Sequence, residues 1–192
     1  RVWSGTIGTT YVTPDLYWES ESGRTNTRAI AASGDYDFSM WSFCGQMSSM
    51  TTVQVQSYLD VMGDFEDEFP NVRFILMTGH TDGSGLGGTL HQNNEQVRQF
   101  AIDNDMICFD FADIESYDPD GAEFLSQGCN DNGDYNGGNW CNEWCDANPG
   151  HDLCDDVYCA HSQPLICNLK GRAFWWMMAR LAGWPGPNAC IN

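Results

Sequence analysis

A strand-helix-strand pattern between Tyr36 and Gly83 constrains the fold more than any other part of the sequence. YDFSMWSF has the composition of a strand and ends at CGQ, and VRFILMT has that of a second strand and ends at GHTDG. The segment between them predicts a helix, because its apolar residues recur at helical spacing: Val55, Tyr58, Leu59, Met62, Phe65 and Phe69. Such a crossover makes the two strands parallel, so both polar loops lie at one edge of a sheet. We expect any chemistry at that edge.

The segments on either side extend this pattern into an α/β domain. NNEQVRQFAIDN predicts a helix capped by Asn93 or Asn94, and MICFDF predicts a third, buried strand. Residues 1–24 indicate loop or extended structure, and a short helix is expected from Asn26 to a stop at Gly34. NLKGRAFWWMMARLAGWPG predicts a closing helix, with Trp175 and Trp176 in the core. At 192 residues, a single domain, 1–192, is expected.

The charge of the chain restricts its partners. It carries 27 acidic and 8 basic residues, a formal net charge of -19. A nucleic acid or an anionic membrane would repel such a chain, because binding a phosphate backbone requires clustered Lys and Arg. The longest apolar run, AFWWMMA, is too short for a membrane span, which needs roughly 20 residues. Neutral substrates, cations and sugars remain as partners, and we expect no nucleic acid and no membrane span.

The nine cysteines favour disulfides and an extracellular protein. Seven lie between Cys129 and Cys190, and no CxxC pair has the spacing of a zinc knuckle. The Cys-, Asp- and Asn-rich segment 127–160 is predicted to be an insertion without a core of its own that disulfides hold together. Because nine is odd, one thiol is free or bonded outside the chain, and Cys44 and Cys108 are the expected buried free thiols.

The order of these segments resembles that of the SGNH (GDSL-like) hydrolases, over about 150 residues from Tyr36 to Trp184. FCGQ resembles the end of a family strand that carries a Gly-x-Asn-Asp block, and FPNVRFILMTGHTDG resembles the next strand. DDVYCAHSQPLICNLKGRAFWWMMA resembles the family's Asp-x-x-His block with its final helix. The resemblance implies a three-layer, flavodoxin-like parallel sheet with helices on both faces.

The resemblance also assigns catalytic roles. His161 would be the general base, with Asp156 or Asp155 orienting its ring, and Gly45 and Gln46 would hold the oxyanion. Asp156 precedes His161 by five residues, whereas the family spacing is three. A structural loop histidine is the alternative for His161.

The nucleophile of this family is a serine that follows an earlier strand. SGTIG, which begins at Ser4, resembles its Ser-x-Thr-x-Gly block, although no apolar strand precedes it. We expect the first strand and its serine upstream of Arg1. An upstream fragment of the same precursor, or copies of the chain itself, are then expected partners.

His80 and Asp82, in the loop after the second predicted strand, are candidates for substrate binding. The alternative for His80 is a loop histidine that caps the glycine turn. No organic cofactor is expected.

Two loops are candidate Ca²⁺ sites. CNDNGDYNGG places oxygen-bearing side chains at alternate positions, namely Asn130, Asn132, Asp134 and Asn136, and SYDPDG offers Asp118 and Asp120. Polar turns held by Asx hydrogen bonds are the alternative for both loops. Trp140 and Trp144 are candidate exposed platforms for sugar rings.

Two functions follow. The first is a secreted SGNH-type esterase that acts on a small ester or an acylated carbohydrate. The second is a catalytically inactive extracellular binding or surface-assembly module on the same fold, stabilised by disulfides and Ca²⁺.

Overall fold

The computed structural model describes residues 12–187. These residues form two compact units. The first comprises 12–79 with Gly87–Asp110, and the second comprises His80–Leu86 with 111–187.

The first unit is a mixed α/β structure around a parallel sheet. Its elements are α1 (Pro14–Tyr17), α2 (Glu21–Ala31), β1 (Phe38–Met40), a 3₁₀ helix (Gly45–Ser48), α3 (Thr52–Glu68), β2 (Arg73–Met77), α4 (Thr89–Asp103) and β3 (Cys108–Phe109). β2 lies in the middle of the sheet and runs parallel to both neighbours, with Ser39 opposite Phe74 and Leu76 opposite Cys108. The predicted α/β class and parallel strands are confirmed.

α3 forms where its sequence pattern predicts. Thr51 caps it with a capping box, in which the Thr51 hydroxyl accepts from the Gln54 N–H and the Gln54 amide oxygen accepts from the Thr51 N–H. Five predicted apolar positions are fully buried: Val55, Tyr58, Leu59, Met62 and Phe65. Phe69 follows the last turn and is partly buried.

The region before β1 is more helical than predicted. The sequence analysis expected loop structure to residue 24, whereas α2 begins at Glu21 and the hydroxyl of Ser20 accepts from the Gly23 N–H. Gly23 is required because a Cβ atom there would lie 2.3 Å from the carbonyl oxygen of Asp15. The N-cap serine and this close helix contact outweigh the low helix propensity of the segment.

The core of the first unit is aromatic. Tyr17, Trp18, Trp41, Phe43 and Tyr58 are buried and form stacked or edge-to-face pairs. Four consecutive residues of β2, from Phe74 to Met77, are also buried, as in a parallel strand covered on both faces.

The second unit consists of helices and short hairpin strands. Its elements are α5 (Phe111–Ser116), a 3₁₀ helix (Leu125–Gln127), β4 (Asp134–Tyr135), β5 (Gly138–Asn139), α6 (Trp140–Ala147), a 3₁₀ helix (Asp152–Cys154) and α7 (Pro164–Leu181). β4 and β5 pair as an antiparallel hairpin. Among the helices of residues 12–187, none has both the length and the apolar character that crossing a bilayer requires.

Two disulfides, Cys145–Cys154 and Cys159–Cys167, cross-link the second unit. This confirms the preference for disulfides over a zinc knuckle. Within residues 12–187, Cys44 and Cys108 form no disulfide, as expected, but the prediction that Cys44 is buried is wrong, because it lies exposed next to the 3₁₀ helix after β1. Cys129 and Cys141 are also unpaired and buried.

The predicted insertion 127–160 does contribute to a core. Cys129, Trp140, Cys141, Trp144 and Leu153 pack with Leu165 and Ile166 of α7. The prediction of exposed sugar platforms at Trp140 and Trp144 is therefore wrong: these residues are 1% and 7% exposed. The prediction of buried Trp175 and Trp176 is also wrong, because they are 75% and 56% exposed.

Candidate functional site

In the first unit, Gly45 and Gln46 open the 3₁₀ helix that follows β1. The side chain of Asn93, buried on α4, donates to the carbonyl oxygens of Met47 and Met50 at 2.8 and 2.9 Å. The Oε1 atom of Gln46 is buried and has no hydrogen-bond partner among residues 12–187. The resemblance predicts that this loop binds an oxyanion, and that role stays a prediction.

Asn94 holds the chain where it leaves β2. Its Oδ1 accepts from the Gly79 N–H at 2.8 Å, and its Nδ2 donates to the Gly79 carbonyl oxygen at 3.0 Å. Gly79 has little space for a side chain, because a Cβ atom there would lie 2.9 Å from Leu90 Cδ1. Asn93 and Asn94 are thus buried tertiary contacts inside α4 and not its N-cap, since the helix begins at Thr89.

In the second unit, Asp131 lies beside His80 and the segment that follows His161. The Asp131 carboxylate oxygen Oδ2 is 3.5 Å from His80 Nδ1. The backbone carbonyl oxygen of Asp131 accepts a hydrogen bond from the Ser162 hydroxyl at 2.9 Å. The Asp131 N–H donates to the Thr81 carbonyl oxygen at 3.0 Å. Asp131 therefore contacts His80 and Ser162, the residue that follows His161.

His161 has a backbone conformation that is unusual for its residue type. Its φ of +65° lies in the left-handed region, and its side chain is exposed. The disulfide Cys159–Cys167 closes the loop that contains it. Strained backbone at a polar, accessible residue is a recurrent feature of functional sites.

The carboxylates predicted to orient His161 are both exposed. Between residues 12 and 187, no hydrogen bond joins the His161 ring to the carboxylate of Asp155 or Asp156. The backbone carbonyl oxygen of Asp155 accepts from Asn168 Nδ2 at 3.2 Å. The orienting role of Asp156 stays a prediction, as does the nucleophilic role of Ser4, which lies outside the described residues.

Asp82 caps the turn after His80. Its Oδ1 accepts from the Ser84 N–H at 2.9 Å and from the Ser84 hydroxyl. Asp82 is exposed, and its predicted contact with substrate stays a prediction.

The oxygens of the two candidate Ca²⁺ loops accept hydrogen bonds within the loops. Asn130 Oδ1 and Asn132 Oδ1 both accept from the Asp134 N–H, and Asp134 Oδ1 accepts from Asn139 Nδ2 at 2.8 Å. Side-chain hydrogen bonds from Asn139 and Asn132 to the Asp134 carboxylate lower the pKa of Asp134. Asn136 is exposed and bonds Gln127 only through its backbone N–H.

The SYDPDG loop is built in the same way. Asp118 Oδ1 accepts from the N–H groups of Asp120 and Ala122, and Asp120 Oδ2 accepts from Trp144 Nε1 at 2.9 Å. Across the described residues, no group of three or more His, Cys, Asp and Glu side chains is arranged to hold a metal ion. Both loops form Asx turns, and Ca²⁺ binding stays a prediction.

No protein-family model, no curated protein and no solved structure matches this chain. The function is therefore inferred from the geometry of its own residues.

A buried charged pair in the second unit was not predicted from the sequence. Lys170 Nζ lies 2.5 Å from Glu115 Oε1 and donates to Ser162 Oγ at 2.8 Å. One signal was available: Lys170 is the only lysine in a chain with 27 acidic residues, and it lies in a helix segment that is otherwise mostly apolar. Glu115 gave no such signal, because it is one of many acidic residues.

Proposed function

We propose that this protein is a secreted serine hydrolase of the SGNH type that cleaves small esters, such as acetyl groups on a carbohydrate. The observation that carries the proposal is the position of Asp131, whose carboxylate lies beside His80 and whose carbonyl oxygen holds Ser162, the neighbour of His161. The parallel sheet supports the proposal because such sheets place ligand-binding loops at the carboxyl ends of their strands. The flavodoxin-like, three-layer arrangement belongs to the same proposal.

In this proposal His161 is the general base. It takes the proton of a serine hydroxyl as that oxygen attacks the ester carbonyl, and it returns the proton to the leaving alcohol. The resulting acyl-enzyme is hydrolysed by water with the same histidine as base. His80 binds the substrate. Ser4 is the candidate nucleophile that this sequence offers.

Secretion is part of the proposal. Two disulfides are compatible with an oxidising compartment, since disulfides persist there and are rare in the cytosol.

Covalent labelling tests the hydrolase directly. We expect a fluorophosphonate to label the folded protein and p-nitrophenyl acetate to be turned over, with both signals lost in His161→Ala. His91→Ala is the matched control, because His91, on α4, has no role in the proposal, so this variant should keep full labelling. Peptide mapping of the adduct identifies the serine. Absence of both labelling and turnover in the folded protein would reject the hydrolase.

A second candidate is an extracellular binding or surface-assembly module stabilised by disulfides and Ca²⁺. It is favoured by one observation: no serine hydroxyl bonds the His161 ring within residues 12–187. This candidate predicts no adduct, and it predicts a rise in melting temperature with Ca²⁺ that Asp134→Ala or Asp118→Ala reduces. Asp67→Asn, on the exposed face of α3, is the control. If the melting temperature is the same in Ca²⁺ and in chelator, Ca²⁺ binding is rejected for both candidate functions.

A further inference from the structure

Lys170 and Glu115 form a buried ion pair in the second unit. The side chains are 13% and 0% exposed, and the Lys170 ammonium lies 4.1 Å from the centroid of the Phe111 ring. Charges so far from water are costly unless each is paired and hydrogen-bonded. A pair of this kind is retained for conformational specificity in some proteins, so its contacts indicate which part of the structure it specifies.

Each member of the pair holds the residue that follows one histidine. Glu115 Oε2 accepts from the Thr81 N–H at 2.6 Å and from the Thr81 hydroxyl at 3.0 Å, and Thr81 follows His80. Lys170 Nζ donates to the Ser162 hydroxyl at 2.8 Å, and Ser162 follows His161. One ion pair thus connects Thr81 and Ser162, the residues that follow the two histidines.

Asp131 closes the same network. Its N–H donates to the Thr81 carbonyl oxygen, and its carbonyl oxygen accepts from the Ser162 hydroxyl. Ser162 therefore accepts from Lys170 and donates to Asp131, which fixes its side chain in one orientation. The chain reaches this position through the left-handed backbone of His161.

We propose that the Glu115–Lys170 pair is the positioning element that sets His161 relative to His80 for ester cleavage, with Ser162 as the link to the His161 loop. This inference rests on the proposed hydrolase function. Lys170, Glu115 and Ser162 are positioning residues and do not touch the substrate.

Ser162→Ala is the decisive variant, because it removes the link and leaves the buried ion pair intact. We expect kcat for p-nitrophenyl acetate to fall by about tenfold to a hundredfold, since small misplacements of catalytic groups reduce rates by such factors. KM should stay within about twofold and the melting temperature close to that of the wild type. Ser126→Ala is the control: the Ser126 hydroxyl donates to the Glu123 carboxylate, outside the network, and this variant should keep the wild-type kcat.

Thr81→Val provides a second variant on the His80 side. It keeps the backbone N–H bond to Glu115 and loses only the hydroxyl bond. We expect KM to rise with a smaller change in kcat, because His80 binds substrate in the proposal.

An NMR readout is independent of activity. The chain has four histidines, so each ring gives a resolvable signal. We expect the His161 ring signals to shift and broaden in Ser162→Ala, whereas His91 and His151 keep their wild-type signals.

The outcomes separate this inference from the hydrolase function. If Ser162→Ala has wild-type kcat and wild-type ring signals while His161→Ala is inactive, the positioning role is wrong and the hydrolase stands. If kcat falls only in proportion to a loss of folded protein, the network is merely structural. A fluorophosphonate adduct on Ser162 itself would also overturn the positioning role. If His161→Ala is fully active, the hydrolase proposal fails.

Discussion

The side-chain amide of Asn94 satisfies both backbone polar groups of Gly79. Its oxygen accepts from the Gly79 N–H, and its nitrogen donates to the Gly79 carbonyl oxygen, at 2.8 and 3.0 Å. Asn94 is 2% exposed and lies within α4. One helix side chain therefore supplies the hydrogen bonds of the Gly79 backbone, which lies beyond the end of β2. The Asn94 side chain thereby holds the backbone of Gly79, just after β2.

Asn94→Ala should lower the free energy of unfolding by about 2–3 kcal/mol, because it leaves a buried N–H and a buried carbonyl oxygen without partners. Gln92→Ala, at an exposed position of the same helix, should change it by less than about 0.5 kcal/mol. Chemical denaturation of both variants measures the difference. If Asn94→Ala is as stable as the wild type, water replaces the Asn94 amide as the hydrogen-bond partner of Gly79.

His161→Gly should separate function from stability at the candidate base. Glycine adopts a φ of +65° without the penalty of about 1–2 kcal/mol that a side chain incurs there, so we expect unchanged or higher stability together with no esterase activity. Asp105→Gly is the control, because Asp105 also has a positive φ, 51°, but should keep full activity. A large loss of stability in His161→Gly would instead identify a structural histidine.

The sequence was sufficient to predict the elements whose signal is local. The stripe from Val55 to Phe65 follows helical spacing because that face packs against the core, and the run from Phe74 to Met77 is apolar because both faces of β2 are covered. Asn94 was misassigned as a helix cap. Asparagine is a common cap, and its contact with Gly79 depends on a neighbour 15 positions away.

The exposure of Trp175 and Trp176 and the pairing of Glu115 with Lys170 could not be predicted from the sequence for a similar reason. The spacing in the closing helix does not tell a core face from an exposed one, and Trp175 lies on an exposed face. The contacts of Glu115 and Lys170 join four segments that are far apart in the sequence and lie together only in the folded chain. The residues in contact are Thr81, Glu115, Asp131 and Lys170.

The Glu115–Lys170 pair should show strong coupling in a double-mutant cycle. Lys170→Met leaves the Glu115 carboxylate buried without a cation, so we expect a loss of about 3–5 kcal/mol in the free energy of unfolding. Glu115→Gln combined with Lys170→Met removes both charges and should recover part of that loss. The exposed pair Arg172–Asp152 is the control, and its cycle should give less than about 1 kcal/mol. Additive effects at Glu115 and Lys170 would show that water reaches the pair.

The thiols of Cys108 and Cys129 should make the protein less stable as the pH rises above 9. Burial is the largest cause that raises the pKa of Cys108 to about 12 and that of Cys129 to about 11 from the ordinary value of 9.0. Above pH 9 the unfolded chain loses these protons first, so the stabilising contribution is complete below pH 9 and declines as the pH approaches the folded pKa. Each thiol adds to the slope of the free energy of unfolding against pH a contribution that approaches about 1.4 kcal/mol per pH unit.

Denaturation between pH 9 and 10 should therefore give a shallower slope for Cys108→Ala than for the wild type. Cys44→Ala should keep the wild-type slope, because the Cys44 thiol is exposed. An identical slope in Cys108→Ala would mean that the Cys108 thiolate is as well solvated in the folded protein as in the unfolded chain.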